Sequence, residues 1–105
     1  MGIGPIPATR KAFLRAGISA GDLDIVEISE TFASHAIACV RELKPDMERI
    51  NVDGGALAIG HPLGATGARL VGNAASVLKC EGGRFALATQ YVGGGQGIAT
   101  ILEAV

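Results

Sequence analysis

Asn51-Val52-Asp53-Gly54-Gly55-Ala56-Leu57-Ala58-Ile59-Gly60-His61-Pro62-Leu63-Gly64-Ala65-Thr66-Gly67-Ala68-Arg69 is the stretch on which the reading of this chain turns. Ile50-Asn51-Val52 reads as a short strand running into Gly54-Gly55. The far end opens a helix predicted over about residues 64–80. Between them His61 sits among glycines, just before the helix N-terminus. Glycine lets a backbone take tight conformations, and a helix N-terminus favours nearby negative charge. A neutral imidazole in that place can accept a proton from a nucleophile near neutral pH. On the residues alone, a histidine that only fills a turn remains the alternative.

Outward from this stretch, prolines and glycines punctuate the chain. Pro5 and Pro7 precede a helical run over residues 8–16, and Gly17 follows it; early proline and late glycine are start and stop signals. Residues 24–28 read as a strand. A second helix is predicted over residues 30–43, with Ala33, Ala36, Ile37 and Val40 on one face and Lys44-Pro45 ending it. In the helix over 64–80, Thr66, Arg69, Asn73 and Ser76 form one narrow polar stripe. A helix apolar over the rest of its circumference is expected to be largely buried. Residues 84–92 and 98–102 read as strands joined by a glycine-rich link, an antiparallel hairpin. The order helix, strand, helix, strand, helix, strand, strand predicts one layered α/β domain with a mixed sheet.

Composition narrows the function. Of 105 residues 49% are apolar and only 18% charged, and mean hydropathy is +0.40. A small domain has a large surface to cover, so such a balance predicts an apolar face that meets a partner. Self-association as a homodimer is the expected outcome. The 9 basic residues are scattered and offset by 10 acidic ones, which is no nucleic-acid footprint. No apolar run is long enough to span a bilayer, and Met1 to Pro5 has the pattern of no secretory leader. Cys39 and Cys80 lack metal-type spacing and are expected as reduced, buried thiols of a cytoplasmic-type protein. No metal or cofactor is expected.

Two further stretches carry candidate chemistry. Ala88-Thr89-Gln90-Tyr91-Val92-Gly93-Gly94-Gly95-Gln96-Gly97 places a glycine run after a strand. Such a run exposes backbone N–H groups to a ligand oxygen, or else it is a plain hairpin turn. It is no phosphate loop, since no Gly-Lys-Ser/Thr follows. In Val26-Glu27-Ile28-Ser29-Glu30-Thr31-Phe32-Ala33, Ser29 or Thr31 is a candidate helix cap. His35, alone on the helix that follows, reads as structural or solvated.

Taken together, the three stretches resemble the thiolase family, and the resemblance runs from Met1-Gly2-Ile3-Gly4-Pro5-Ile6-Pro7-Ala8 to the last strand. It implies that residues 1–105 are a thiolase C-terminal domain, one half of a layered αβαβα fold. Thiolases form or cleave 3-ketoacyl-CoA by a Claisen-type reaction, in which a cysteine of the N-terminal half is acylated. By resemblance His61 activates that cysteine and binds an oxyanion, and the Gly93 N–H belongs to a second oxyanion hole. The substrate implied is a coenzyme A thioester.

The chain departs from the family pattern in three ways. The N-terminal half, and the first strand of this half, are not in the sequence. Tyr91 stands where the acid/base cysteine belongs; a phenol is bulkier and a weaker acid than a thiol. Ser29 replaces the asparagine that holds the oxyanion water. The reading is therefore an acyltransferase domain, inactive alone, that needs an N-terminal half with the nucleophile. Two alternatives remain open: a non-catalytic interaction or acyl-CoA-binding protein, and an acyl-CoA carbon–carbon lyase component using Tyr91 as acid/base.

Overall fold

A computed structural model describes residues 2–105. Helix α1 spans Pro5–Ala16. It starts three residues ahead of the expected run, because a proline in the first turn lacks only an N–H that would go unpaired there. Gly17 ends it at φ +69°, with its N–H on Phe13 O. Strand β1, Ile25–Ile28, leads to α2, Ala33–Leu43. A four-residue helix α3, Ala56–Ile59, precedes the His61 loop. Helix α4, Thr66–Glu81, is followed by β2, Phe85–Gly93, and β3, Gln96–Glu103.

The strands form one mixed sheet in the order β1-β2-β3. Strand β1 runs parallel to β2, with Val26 beside Leu87. The β2–β3 hairpin is antiparallel, as predicted, with Leu87 beside Ile101. Side chains alternate across a strand, so the sheet has two apolar faces. One face carries Ile25, Ala86 and Leu102 against Ala74, Val77 and Leu78 of α4. The other packs Val26 and Leu87 with Phe13 of α1, and Ile28 with Ile6, Cys39 and Leu43 from α1 and α2. The result is three layers, with the sheet in the middle.

Helix α4 buries Thr66, Leu70, Ala74, Val77 and Leu78 on its sheet side. Ala68, Gly72, Ala75 and Ser76 face outward and are exposed in this chain. Part of the polar stripe turns inward to Glu27 of β1, which is fully buried. Asn73 Nδ2 donates to Glu27 Oε1 at 2.8 Å. Burial pushes the Glu27 carboxyl above the ordinary carboxylate range, against the pull of Asn73 and of the Arg69 charge.

Further expectations change. Helix α4 is buried on its sheet side alone rather than over most of its circumference, because only the sheet packs against it in this chain. The strand over 50–52 is a single parallel bridge between Ile50 and Val26, because Asn51 sits at φ +46°, outside the strand region. The second helix begins at Ala33 rather than at residue 30. Cys39 is buried as expected, but Cys80 is exposed, since it lies on the outward side of α4.

Candidate functional site

The three stretches singled out in the sequence converge on one end of the sheet. Parallel β1 and β2 both finish there, and in open α/β sheets the carboxyl ends of strands are where ligands bind. Ser29 follows β1 and its N–H donates to Thr89 O of β2 at 3.0 Å. The start of α4 approaches the same place, since a Cβ on Gly67 would lie 3.2 Å from Gln90 Nε2.

Side-chain hydrogen bonds hold the loop that carries His61. Asn51 leaves the strand path and caps the end of β1 with its amide. Ile28 N–H donates to Asn51 Oδ1 at 2.8 Å, and Asn51 Nδ2 donates to Ile28 O at 3.0 Å. The same Nδ2 donates to Glu30 Oε1 at 2.8 Å. The other Glu30 oxygen accepts the Leu57 N–H of α3 at 3.0 Å. Gly55 is glycine because a Cβ there would collide with the Glu30 carboxylate. Glu30 thus ties the second stretch to the first.

His61 itself is exposed. Gly60 before it sits at φ +93°, a conformation suited to glycine. Thr66, in the first turn of α4, is buried. Its hydroxyl lies 2.7 Å from His61 Nδ1 and donates to Pro62 O at 3.1 Å. Among the described residues this is the one hydrogen bond of the ring, and it leaves Nε2 as the free nitrogen.

The glycine run makes the β2–β3 turn. Gly94 and Gly95, at φ +57° and +79°, are the two central residues of the tight hairpin that right-twisted strands prefer. Gly93 at φ +124° follows a register irregularity after Tyr91. The Tyr91 hydroxyl accepts the Gly95 N–H at 3.1 Å, so the phenol is folded onto its own loop. Its ring meets His35 edge-on, with centroids 6.1 Å apart. Behind the hairpin, Gly4 and Gly97 cross so closely that a Cβ on either would strike the other's backbone.

Ser29 is buried, and its hydroxyl pairs with Thr31 Oγ1 at 3.3 Å. Neither residue caps α2, whose N-cap is Phe32 without a side-chain bond. His35 is a core residue, held below its ordinary pKa by burial. Cys39 Sγ lies 3.7 Å from His35 Nε2, and burial pushes its thiol up, which makes it inert as a nucleophile. No group of His, Cys, Asp and Glu suited to a metal occurs among the described residues. Sequence reasoning missed Glu30, Asn51 and the contact of Thr66 with His61. Only the place of Thr66 in the polar stripe hinted at any of these.

The layers and loops together are those of the C-terminal half of a thiolase-like αβαβα protein. The family model described as the thiolase C-terminal domain matches residues 1–104. The chain belongs to the thiolase family. It is 48% identical over 107 residues to a 3-ketoacyl-CoA thiolase of Colwellia psychrerythraea, covering 100% of this chain and 28% of that protein. It is 50% identical over 105 residues to an acetyl-CoA acetyltransferase of Shinella zoogloeoides, covering 100% of this chain and 27% of that protein. A crystal structure of human mitochondrial 3-ketoacyl-CoA thiolase in complex with CoA superimposes with a TM-score of 0.96 at 44% identity, over 99% of this chain and 26% of that one. The chain thus spans just over a quarter of the length of these relatives.

Proposed function

We propose that this chain supplies the His61 half of a thiolase-type acyl-CoA acyltransferase site, completed by a thiolase N-terminal portion that carries the nucleophilic cysteine. The observation that carries the reading is His61 at the mouth of α4. Its Nδ1 is held by Thr66 and its Nε2 is free, at the sheet end where the glycine hairpin also lies. In this role Nε2 takes the thiol proton as the thiolate attacks the thioester carbonyl. The acyl group passes to sulfur, and coenzyme A leaves as its thiol by taking that proton back from Nε2. By family resemblance the Gly93 N–H would stabilise an oxyanion, whereas the Gly95 N–H is already taken by the Tyr91 hydroxyl. Ser29, in the asparagine position, reaches less far, and its hydroxyl is already paired with Thr31.

The exposed apolar residues suit a completing partner. Phe32, Leu57, Ile59, Leu63 and Val92 are all more than half exposed, and all lie on or beside the candidate site loops. Burying such side chains contributes about 1.5–3 kcal/mol each. In the same reading the completed protein is a homo-oligomer of the cytoplasm. No helix among the described residues is long and apolar enough to cross a membrane.

A second reading rests on Tyr91. With its hydroxyl turned onto Gly95, it is poorly placed to take the part of a thiol at the carbanion. This favours a protein that binds acyl-CoA without condensing it, and it counts against the phenol as acid/base in carbon–carbon lysis. Reconstitution with a thiolase N-terminal portion separates the readings. Under the first, acyl transfer to the cysteine proceeds and His61→Ala abolishes it, while condensation stays far below a thiolase rate until Tyr91→Cys is introduced. Normal condensation with Tyr91 in place would sink the assignment of that position. Acylation indifferent to His61→Ala would sink the role of His61.

A further inference from the structure

His61 is exposed, yet the hydroxyl that touches it is buried: Thr66 is 2% exposed. Thr66 Oγ1 has two neighbours, Pro62 O at 3.1 Å and His61 Nδ1 at 2.7 Å. A hydroxyl has a single proton to give. A carbonyl oxygen only accepts, so the contact with Pro62 uses that proton. Bonding of this kind to the carbonyl four residues back is a local habit of threonine in helices. The hydroxyl then offers lone pairs to His61 Nδ1, 2.7 Å away.

We infer that Thr66 is the positioning residue for His61, and that it fixes the neutral ring as the Nδ1–H tautomer with Nε2 as the proton acceptor. The nitrogen that carries the proton is set by the bond that the other one makes. Had the hydroxyl given its proton to Nδ1, Nε2 would carry a hydrogen and could not take one. The Pro62 carbonyl also accepts the Ala65 and Thr66 amides at 2.9 and 3.1 Å, so these contacts all lie in the turn that opens α4. The histidine and the hydroxyl that orients it therefore share one turn of backbone. A shift of α4 along the sheet would carry both together.

This deepens the proposed role of His61 and rests on that reading for its catalytic meaning, but its test needs no turnover. Long-range proton–nitrogen NMR correlations of the nitrogen-15-labelled chain report the tautomer, at a pH where the ring is neutral. His61→Gln assigns the signals. The expected result is a dominant Nδ1–H form in the unaltered chain, retained in Thr66→Ser, which keeps the hydroxyl. Thr66→Val keeps the shape and removes the hydroxyl; it should revert to the Nε2–H form that a free imidazole side chain prefers. A dominant Nε2–H form in the unaltered chain overturns the inference whether or not any variant folds. An unchanged tautomer in folded Thr66→Val overturns it equally. A failure of acyl transfer in the reconstituted protein would count against the functional reading and leave the tautomer result standing.

Discussion

The His61 loop and the Tyr91 hairpin share one end of the sheet but are held there by different means. Side chains position the His61 loop: Asn51, Glu30 and Thr66 each bridge to backbone or ring. The hairpin is positioned by backbone against backbone, with Gly4 crossing Gly97 and the β2–β3 ladder behind it. Hydrogen bonds can be lost one at a time, each at modest cost. A glycine crossing has no partial form, because close-packed backbone cannot yield to an added carbon. The hairpin should therefore fail all at once and the loop by degrees.

The largest effect is expected at the crossing. Gly97→Ala puts a Cβ into the backbone of Gly4 and Pro5. Destabilisation should reach at least the top of the range of about 1–3 kcal/mol typical of overpacking, visible as a large fall in Tm. A near-neutral Tm for Gly97→Ala would remove the rigid side of the contrast.

Next comes Asn51→Ala. It leaves both the N–H and the C=O of Ile28 without their partner, and an unsatisfied buried group costs about 1–3 kcal/mol. Urea unfolding measures that loss. Hydrogen exchange should show it concentrated in residues 51–61 and the end of β1, with the hairpin amides protected as before. Uniform loss of protection would mean that the two regions unfold as one.

Glu27 gives a smaller effect whose sign depends on pH. Its folded pKa is raised by burial, so its contribution to stability is fully present below the unfolded value. That contribution is lost as pH rises through the folded value. Glu27→Gln keeps an acceptor for Asn73 and cannot ionise. Relative to the unaltered chain it should gain stability as pH rises above the ordinary glutamate value of about 4.3. Denaturant unfolding at and above that pH checks the sign, and a relative loss would show that Arg69 and Asn73 outweigh burial.

The smallest effect is expected far from both regions. Arg10 and Glu42 pair at 3.0 Å between α1 and α2, each more than half exposed. Arg10→Ala should change stability by no more than about 1 kcal/mol, as for surface pairs generally, and high salt should erase the difference.

What the residues revealed in advance follows the same division. Helices α1 and α4 and the hairpin were legible because proline and glycine marked their ends. The apolar period of α2 also showed, although its first turn was placed early. The strand over 50–52 was misread because Ile50 and Val52 alternate as a strand does, while Asn51 bends away to cap β1. Helix α3, at four residues, is too short to show a period. Glu30 lay inside a recognised motif, yet its partners are 21 and 27 residues away. Local pattern does not encode such pairings, and it encodes the Gly4–Gly97 crossing no better.

The most direct test of the central claim is calorimetry of acyl-CoA binding to the purified chain, with and without a thiolase N-terminal portion. No measurable binding is expected for the chain alone, but binding is expected once the added portion is present, with a further change when His61 is replaced by Ala. No binding under either condition would contradict that claim and mean that the fold persists here without the acyl-CoA site.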